Sequence, residues 1–310
     1  MNIVYITALF GIELKYKVKT PIEMKKNIFI SNNPDHIKPY LKTESLRAIG
    51  ELEDGILYSG KPFIFQIGHV LVKDQIPNET ILFLREVQAF HIGLWLIRDC
   101  GVNNELAFGV LQDELLVHSN GLTIYNVRSD GEKKTHVIDV NELQDAIDIY
   151  SKHLGGAHNT DIPECTLFQA GLSRTGIAFY HLQTARSSED LAIKVAHYCT
   201  FFESILSTST SELSHQVSER AALLLGRSKM DKIEIFKGIK NAYGVRSRIF
   251  HGERVSKKQL KDISKVSIFT DKIARMLVNK LLKDQDLTNM INSVDTATIE
   301  TYMLNKLFSN

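Results

Sequence analysis

Apolar residues recur along this chain with two different periods, and each period predicts its own kind of element. In the first half, residues 3–10 and 63–72 are rich in β-branched and aromatic side chains and read as strands. Residues 114–140 hold three short apolar runs divided by Asn120-Gly121 and Asp130-Gly131. Those dipeptides tolerate positive φ, so a three-stranded β-meander is expected there. Between these strands, Leu82, Val87, Phe90, Leu94 and Ile97 recur at helical spacing and predict a helix over 79–98, which carries the single tryptophan, Trp95. A second helix is predicted over 139–153, opened by a capping box of Asp139 and Glu142.

Residues 155–163 are glycines, small polar residues and a proline, and read as a linker. Every pattern beyond it is helical: 168–186, 189–206, 212–225, 229–251, 257–283 and 287–308. Ser187 with Asp190, and Ser228 with Asp231, have capping-box spacing at two of the starts. The expected architecture is an α+β domain over 1–154, with short strands, a β-meander and two helices, followed by an all-α helical bundle over 164–310. A length of 310 residues agrees with two cores rather than one.

Composition narrows the function classes. Hydrophobic residues at 44% and charged residues at 24% are those of a folded chain and leave little room for disorder. The formal net charge of +1 excludes a strongly basic chain as a whole, while a local basic patch stays compatible with it. Cys100, Cys165 and Cys199 are odd in number and lie in apolar stretches, as free buried thiols do in a reducing compartment. The N-terminus has no signal-peptide pattern, and no uninterrupted apolar run reaches the ~18 to 20 residues that cross a bilayer. A cytoplasmic protein without a membrane partner is expected.

The candidate chemistry comes from charges on apolar faces. At about 100° per residue, Arg246 falls within the stripe formed by Ile239, Ala242, Tyr243, Ile249 and Phe250, whereas Arg248 points away from it. Arg220 falls among Leu213, Val217 and Leu224 in the same manner. A cation taken out of water needs an anion. Glu203, at the edge of the face made by Leu191, Val195, Tyr198, Phe202 and Ile205, is one available carboxylate; a phosphate from outside is the alternative. His251 precedes Gly252, the favoured residue past a helix end, so it sits where the helix dipole favours an imidazolium and where a general acid or base could act. On a regular helix Arg246 and His251 project about 140° apart and lie ~7.5 Å apart along the axis. To share one phosphate, either the helix distorts or two copies face each other.

The segment Tyr243-Gly-Val-Arg-Ser-Arg-Ile-Phe-His-Gly252 resembles the HEPN superfamily, and more narrowly its Apea-like branch. Phe201-Phe202-Glu203-Ser204-Ile205-Leu206 and Ser218-Glu219-Arg220-Ala221-Ala222-Leu223-Leu224-Leu225-Gly226 are similar to earlier helices of that branch. The resemblance covers about the second half of the chain. It implies a helical bundle that forms a homodimer through the motif-bearing helix, with a metal-independent endoribonuclease site at the interface and no cofactor. Arg246 and His251 match the catalytic pair, Glu203 matches the acidic residue of the first core helix, and Tyr243, Ser247 and Arg220 are supporting positions. Ser247 departs from the Asn, Asp or His of many active HEPN ribonucleases and agrees with the Apea-like branch. RNA, such as tRNA, is the implied substrate and anti-phage defence or toxin action the implied setting, with a phage-derived or antitoxin-like regulator as a further partner. A non-catalytic HEPN module binding RNA, nucleotide or protein is the alternative. Glu13-x-Lys15 has the spacing of a metal-dependent nuclease element but lacks a partner aspartate. No motif marks the first domain, where the Trp95 helix reads either as a recognition surface or as core.

Overall fold

A computed structural model of the chain describes residues 1–122, 124–156, 172–254, 256–293 and 295–308. The chain is α+β, strand-rich first and helical afterwards, and divides into two compact units. One comprises residues 1–126 and 133–161, the other residues 127–132 and 162–310. The expected linker residues 157–163, together with His158 and Cys165, lie outside the described residues.

The first unit is built on a six-stranded antiparallel sheet. Its strands are β1 (Asn2–Phe10), β3 (Ile22–Lys25), β4 (Ile28–Ser31), β5 (Phe63–His69), β6 (Asn103–Leu111) and β7 (Val117–Gly121), in the order β3-β4-β5-β1-β6-β7. Alternation along β1 sends Ile3 and Tyr5 into one core and Val4 and Ile6 into another. The first core is closed by α3 (Ile76–Ile97) and α4 (Val140–Ile149), the second by α1 (Thr43–Ile49) and α2 (Glu51–Tyr58). Because both faces are covered, β1 reads as a nearly continuous apolar run. Asp139 caps α4 through the backbone N–H groups of Asn141 and Glu142, and the capping box is complete. Among the described residues, Lys73–Ile97 is the one helical stretch long and apolar enough to span a membrane; here its Phe83, Leu84, Phe90 and Leu94 lie in the first core.

One open pair of readings for this unit is decided and one expectation is overturned. Trp95 is only 1% exposed, so the α3 surface around it is core and offers no recognition surface. The meander does not form either. The run at 117–121 pairs with β6, which the pattern had not marked, and β8 (His136–Ile138) pairs in parallel with β2 (Ile12–Leu14) in a separate two-stranded sheet. Asn120-Gly121 is therefore strand rather than turn. Asp130-Gly131 does turn, with Gly131 at φ 79° and its N–H donating to Arg128 O, but it does not join two strands. A dipeptide's tolerance of positive φ makes a hairpin only where the flanking runs prefer each other to other partners. Glu13 lies in β2 and is exposed, as a short charged strand would be.

The second unit holds α5 (Arg174–Ser187), α6 (Leu191–Leu206), α7 (Leu213–Leu225), α8 (Lys229–Phe250), α9 (Lys257–Lys283), α10 (Gln285–Asn292) and α11 (Thr296–Phe308). Val195, Tyr198, Phe202 and Ile205 of α6, Val217 of α7, and Ile239, Ala242 and Tyr243 of α8 form its interior. Residues 127–132 are part of it: the Val127 N–H donates to Arg186 O, and the Ser267 hydroxyl donates to Ser129 O. The cap of α6 is Asp190 rather than Ser187, which is the last residue of α5. The single helix expected over 287–308 is two, α10 and α11. Ser228 caps α8 through the Asp231 N–H as its spacing predicts.

Candidate functional site

Arg246 and Glu203 meet. Arg246 Nη2 donates to Glu203 Oε2 at 2.9 Å, joining α8 to α6 across the interior, with side chains 27% and 13% exposed. The guanidinium lies 5.8 Å from the centroid of the Tyr243 ring and 5.0 Å from that of Phe250, cation–π distances that fix its plane. Arg246 Nε is buried without a hydrogen-bond partner, whereas the Tyr243 hydroxyl faces the Glu203 carboxylate as a donor. Burial holds the Glu203 carboxyl above the usual carboxylate range, and the Arg246 charge draws it part of the way back. Burial, then Cys199 and Glu203, push the Tyr243 hydroxyl upward; burial and Glu203 do the same to the Cys199 thiol. The result is one fixed cation beside a single carboxylate, with a guanidinium N–H left over as a donor.

Phe250 departs from expectation. It was placed on the inward stripe, but it is 58% exposed. The last turn of α8 extends past the core, so an aromatic ring flanks Arg246 on the solvent side.

His251 is the C-cap of α8, exposed, with no hydrogen bond or ion pair to its ring among the described residues. The helix ends in a Schellman motif: Gly252, at φ 70°, donates its N–H to Ile249 O, and the Glu253 N–H donates to Arg248 O. Helical hydrogen bonding is unbroken to this point, so α8 does not distort to bring His251 to Arg246. Ser247 is exposed on the same outward side as His251, and Arg248 pairs with Glu253 at 3.6 Å.

Arg220 has a partner within the protein. It is 7% exposed and its Nη1 donates to Leu206 O at 2.6 Å, at the C-terminal end of α6. Arg174 serves that same end, donating through Nε to Ser204 O at 3.0 Å and through Nη2 to Ser207 O. Both guanidiniums satisfy carbonyls left open by the helix end, and Arg220 thus needs no anion from outside.

Two features escaped the sequence pattern. Lys194 is fully buried in α6 and donates to the carbonyls of Val127, Ala185 and Arg186 at 3.1, 2.9 and 3.3 Å. Its only sequence signal is a lysine between Leu191 and Val195 on a strongly apolar helix. His181 of α5 and His197 of α6 stack with ring centroids 6.1 Å apart at 23°, and both Nδ1 atoms are buried and unpartnered. Burial lowers both pKa values, and His197 lowers that of His181 further. The folded state therefore binds fewer protons than the unfolded chain below about pH 6.5, and the stability this provides is full above that pH and lost as the pH falls toward the depressed values. Thermal melts from neutral pH to about pH 5 are expected to show a falling melting temperature that flattens in a His181→Gln, His197→Gln variant. An unchanged slope in that variant would remove the pair from the acid response.

Cys100 and Cys199 are buried, and no group of three or more metal-ligating side chains exists among the described residues. Comparison of the chain with protein-family models, with curated proteins and with solved structures finds no match.

Proposed function

We propose that the chain is a metal-independent endoribonuclease of the HEPN type, acting as a homodimer in which Arg246 of one copy and His251 of the other address the same phosphate. The observation that carries the reading is the Arg246 cluster. Its cation is held in one orientation by Glu203, Tyr243 and Phe250 while its Nε stays unpartnered. A preorganised donor of this kind stabilises charge that develops in a transition state without reorganising. The 2′-hydroxyl attacks the adjacent phosphorus and the bond to the 5′ oxygen breaks. His251 takes the proton from the attacking hydroxyl or supplies one to the leaving oxygen, and Arg246 offsets the charge on the phosphoryl oxygens. The products are a 2′,3′-cyclic phosphate and a 5′-hydroxyl.

The test is incubation of the purified protein with total RNA in EDTA, followed by analysis of the new ends. Fragments ending in 2′,3′-cyclic phosphate are expected. Cutting that requires added metal, or that leaves 5′-phosphates, would overturn the mechanism. A second reading, a non-catalytic module that binds RNA, nucleotide or protein, draws on the same ion pair, since Glu203 already gives Arg246 a partner. In that case EDTA-treated RNA stays intact. A sensing or restraining role for the strand-rich unit, in a defence or toxin setting, belongs to the first reading by analogy alone.

A further inference from the structure

The chain's near-neutral balance hides a strong segregation of charge. Residues 227–283 carry sixteen lysines and arginines against five aspartates and glutamates, whereas the rest of the chain carries twenty-one against thirty-one. This basic stretch is α8, the turn after it, and α9. Of its five acids, Asp271 is 1% exposed and bound by Tyr198 and Arg275, so it does not offset the surface charge.

On α9, Lys257, Lys261 and Lys265 are exposed and follow one another at four-residue steps, which places them in a row on one face with ~6 Å of rise between neighbours. The buried residues Val266, Ile273, Ala274 and Leu277 occupy the other face. Asp262 reaches Lys265 only at 3.7 Å, and with the lysine 84% exposed such a pair offsets little charge in water. Lys272 continues the row but lines a cleft with Asp231 and Glu234, whose carboxylates offset it.

The row starts close to His251 along the chain, since Lys257 follows it by six residues. Gln259, whose amide nitrogen lies 3.5 Å from where a Cβ on Gly244 would stand, turns the opposite face of α9 to α8, so the row itself faces outward. It also belongs to a different helix from the one that the dimer reading would cover.

We infer that Lys257, Lys261 and Lys265 form a track for the phosphate backbone of single-stranded RNA that begins at the His251 end of α8, an inference that rests on the ribonuclease reading for the site there. Exposed lysines in a row neutralise phosphates without reading bases, so the track sets affinity and direction and leaves sequence preference to other groups. Leu260 and Ile268 are exposed on the same helix, too few to make the continuous apolar face that an anionic membrane would take up, and an acidic protein surface would need matching shape. A polyanionic strand needs only the row.

The test compares the full chain with a Lys257→Gln, Lys261→Gln, Lys265→Gln variant and with the corresponding triple arginine variant. The probe is a fluorescein-labelled, mixed-sequence 2′-O-methyl RNA strand, titrated at several salt concentrations. Three lost contacts to a single strand reduce the slope of log affinity against log salt by about 2, so between 50 and 200 mM salt the wild type should weaken roughly 20-fold more than the glutamine variant. The arginine variant should keep the wild-type slope. An equal slope in the glutamine variant, no salt-dependent binding by the wild type, or loss of phosphatidylserine-vesicle binding with RNA binding intact would each overturn the track. Because the strand lacks the attacking hydroxyl, cleavage plays no part. A protein that binds it through the row but leaves ordinary RNA uncut keeps the track and loses the catalytic reading.

Discussion

Mixing Arg246→Ala protein with His251→Ala protein is expected to restore roughly a quarter of wild-type RNA cleavage, although each variant alone cuts at background. Removing a preorganised charge-stabilising donor costs ~10²- to 10³-fold in rate, and removing a general acid or base ~10²- to 10⁴-fold. Neither variant is therefore expected to act alone. The recovery follows from geometry. Arg246 is tied inward to Glu203, whereas His251 caps the far end of an undistorted helix on its outward side. If the two converge on one phosphate only across a pair of chains, a mixed dimer has one site with both groups and one with neither. Random exchange makes half of all dimers mixed, and half of their sites are intact. No recovery after subunit exchange, with both proteins dimeric, would rule out the composite site. Activity in either single variant would rule out the assigned roles.

The residues that meet at Arg246 were legible because helical periodicity alone puts a charge on an apolar stripe, and the same construction on α6 puts Glu203 at the edge of the facing stripe. Periodicity gave the direction of each side chain but not how far its helix stays within the core. Phe250 has the period of a buried residue and is exposed, because the final turn of α8 extends past its neighbours. Arg220 shows a second limit. Its inward placement is as clear as that of Arg246, yet it serves the carbonyl of Leu206, and helix ends in space are not visible in a one-dimensional pattern. The strands failed for a related reason. Short runs such as 117–121 carry no record of their partner, and this one pairs with β6, the strand before it, rather than with the run that follows. The capping box at Asp139 and the N-cap at Ser228 succeeded because their bonds span three residues and owe nothing to tertiary contacts.

Lys194→Met is expected to destabilise the helical unit by about 2–4 kcal/mol, read as a lower urea midpoint, while Lys194→Arg costs less if its fork reaches the same oxygens. Methionine nearly matches the apolar stem of lysine, so packing changes little and the effect isolates the ammonium. Replacing a buried ion by an apolar group of equal shape is often harmless when its partners leave with it. Here the partners stay. The carbonyls of Ala185 and Arg186 belong to the last turn of α5, at the negative end of its dipole, and the carbonyl of Val127 belongs to the short segment that packs with the helices. Arg186 O keeps the Val127 N–H and Ala185 O keeps a weak bond from Ser188, so Val127 O loses most. The damage should therefore concentrate where residues 127–132 join the bundle. Hydrogen exchange at the Val127 amide is expected to accelerate more than exchange in the middle of α6. A midpoint shift below ~0.5 kcal/mol, with that amide still protected, would mean that the segment is held by the Ser267 and Arg186 contacts without the lysine.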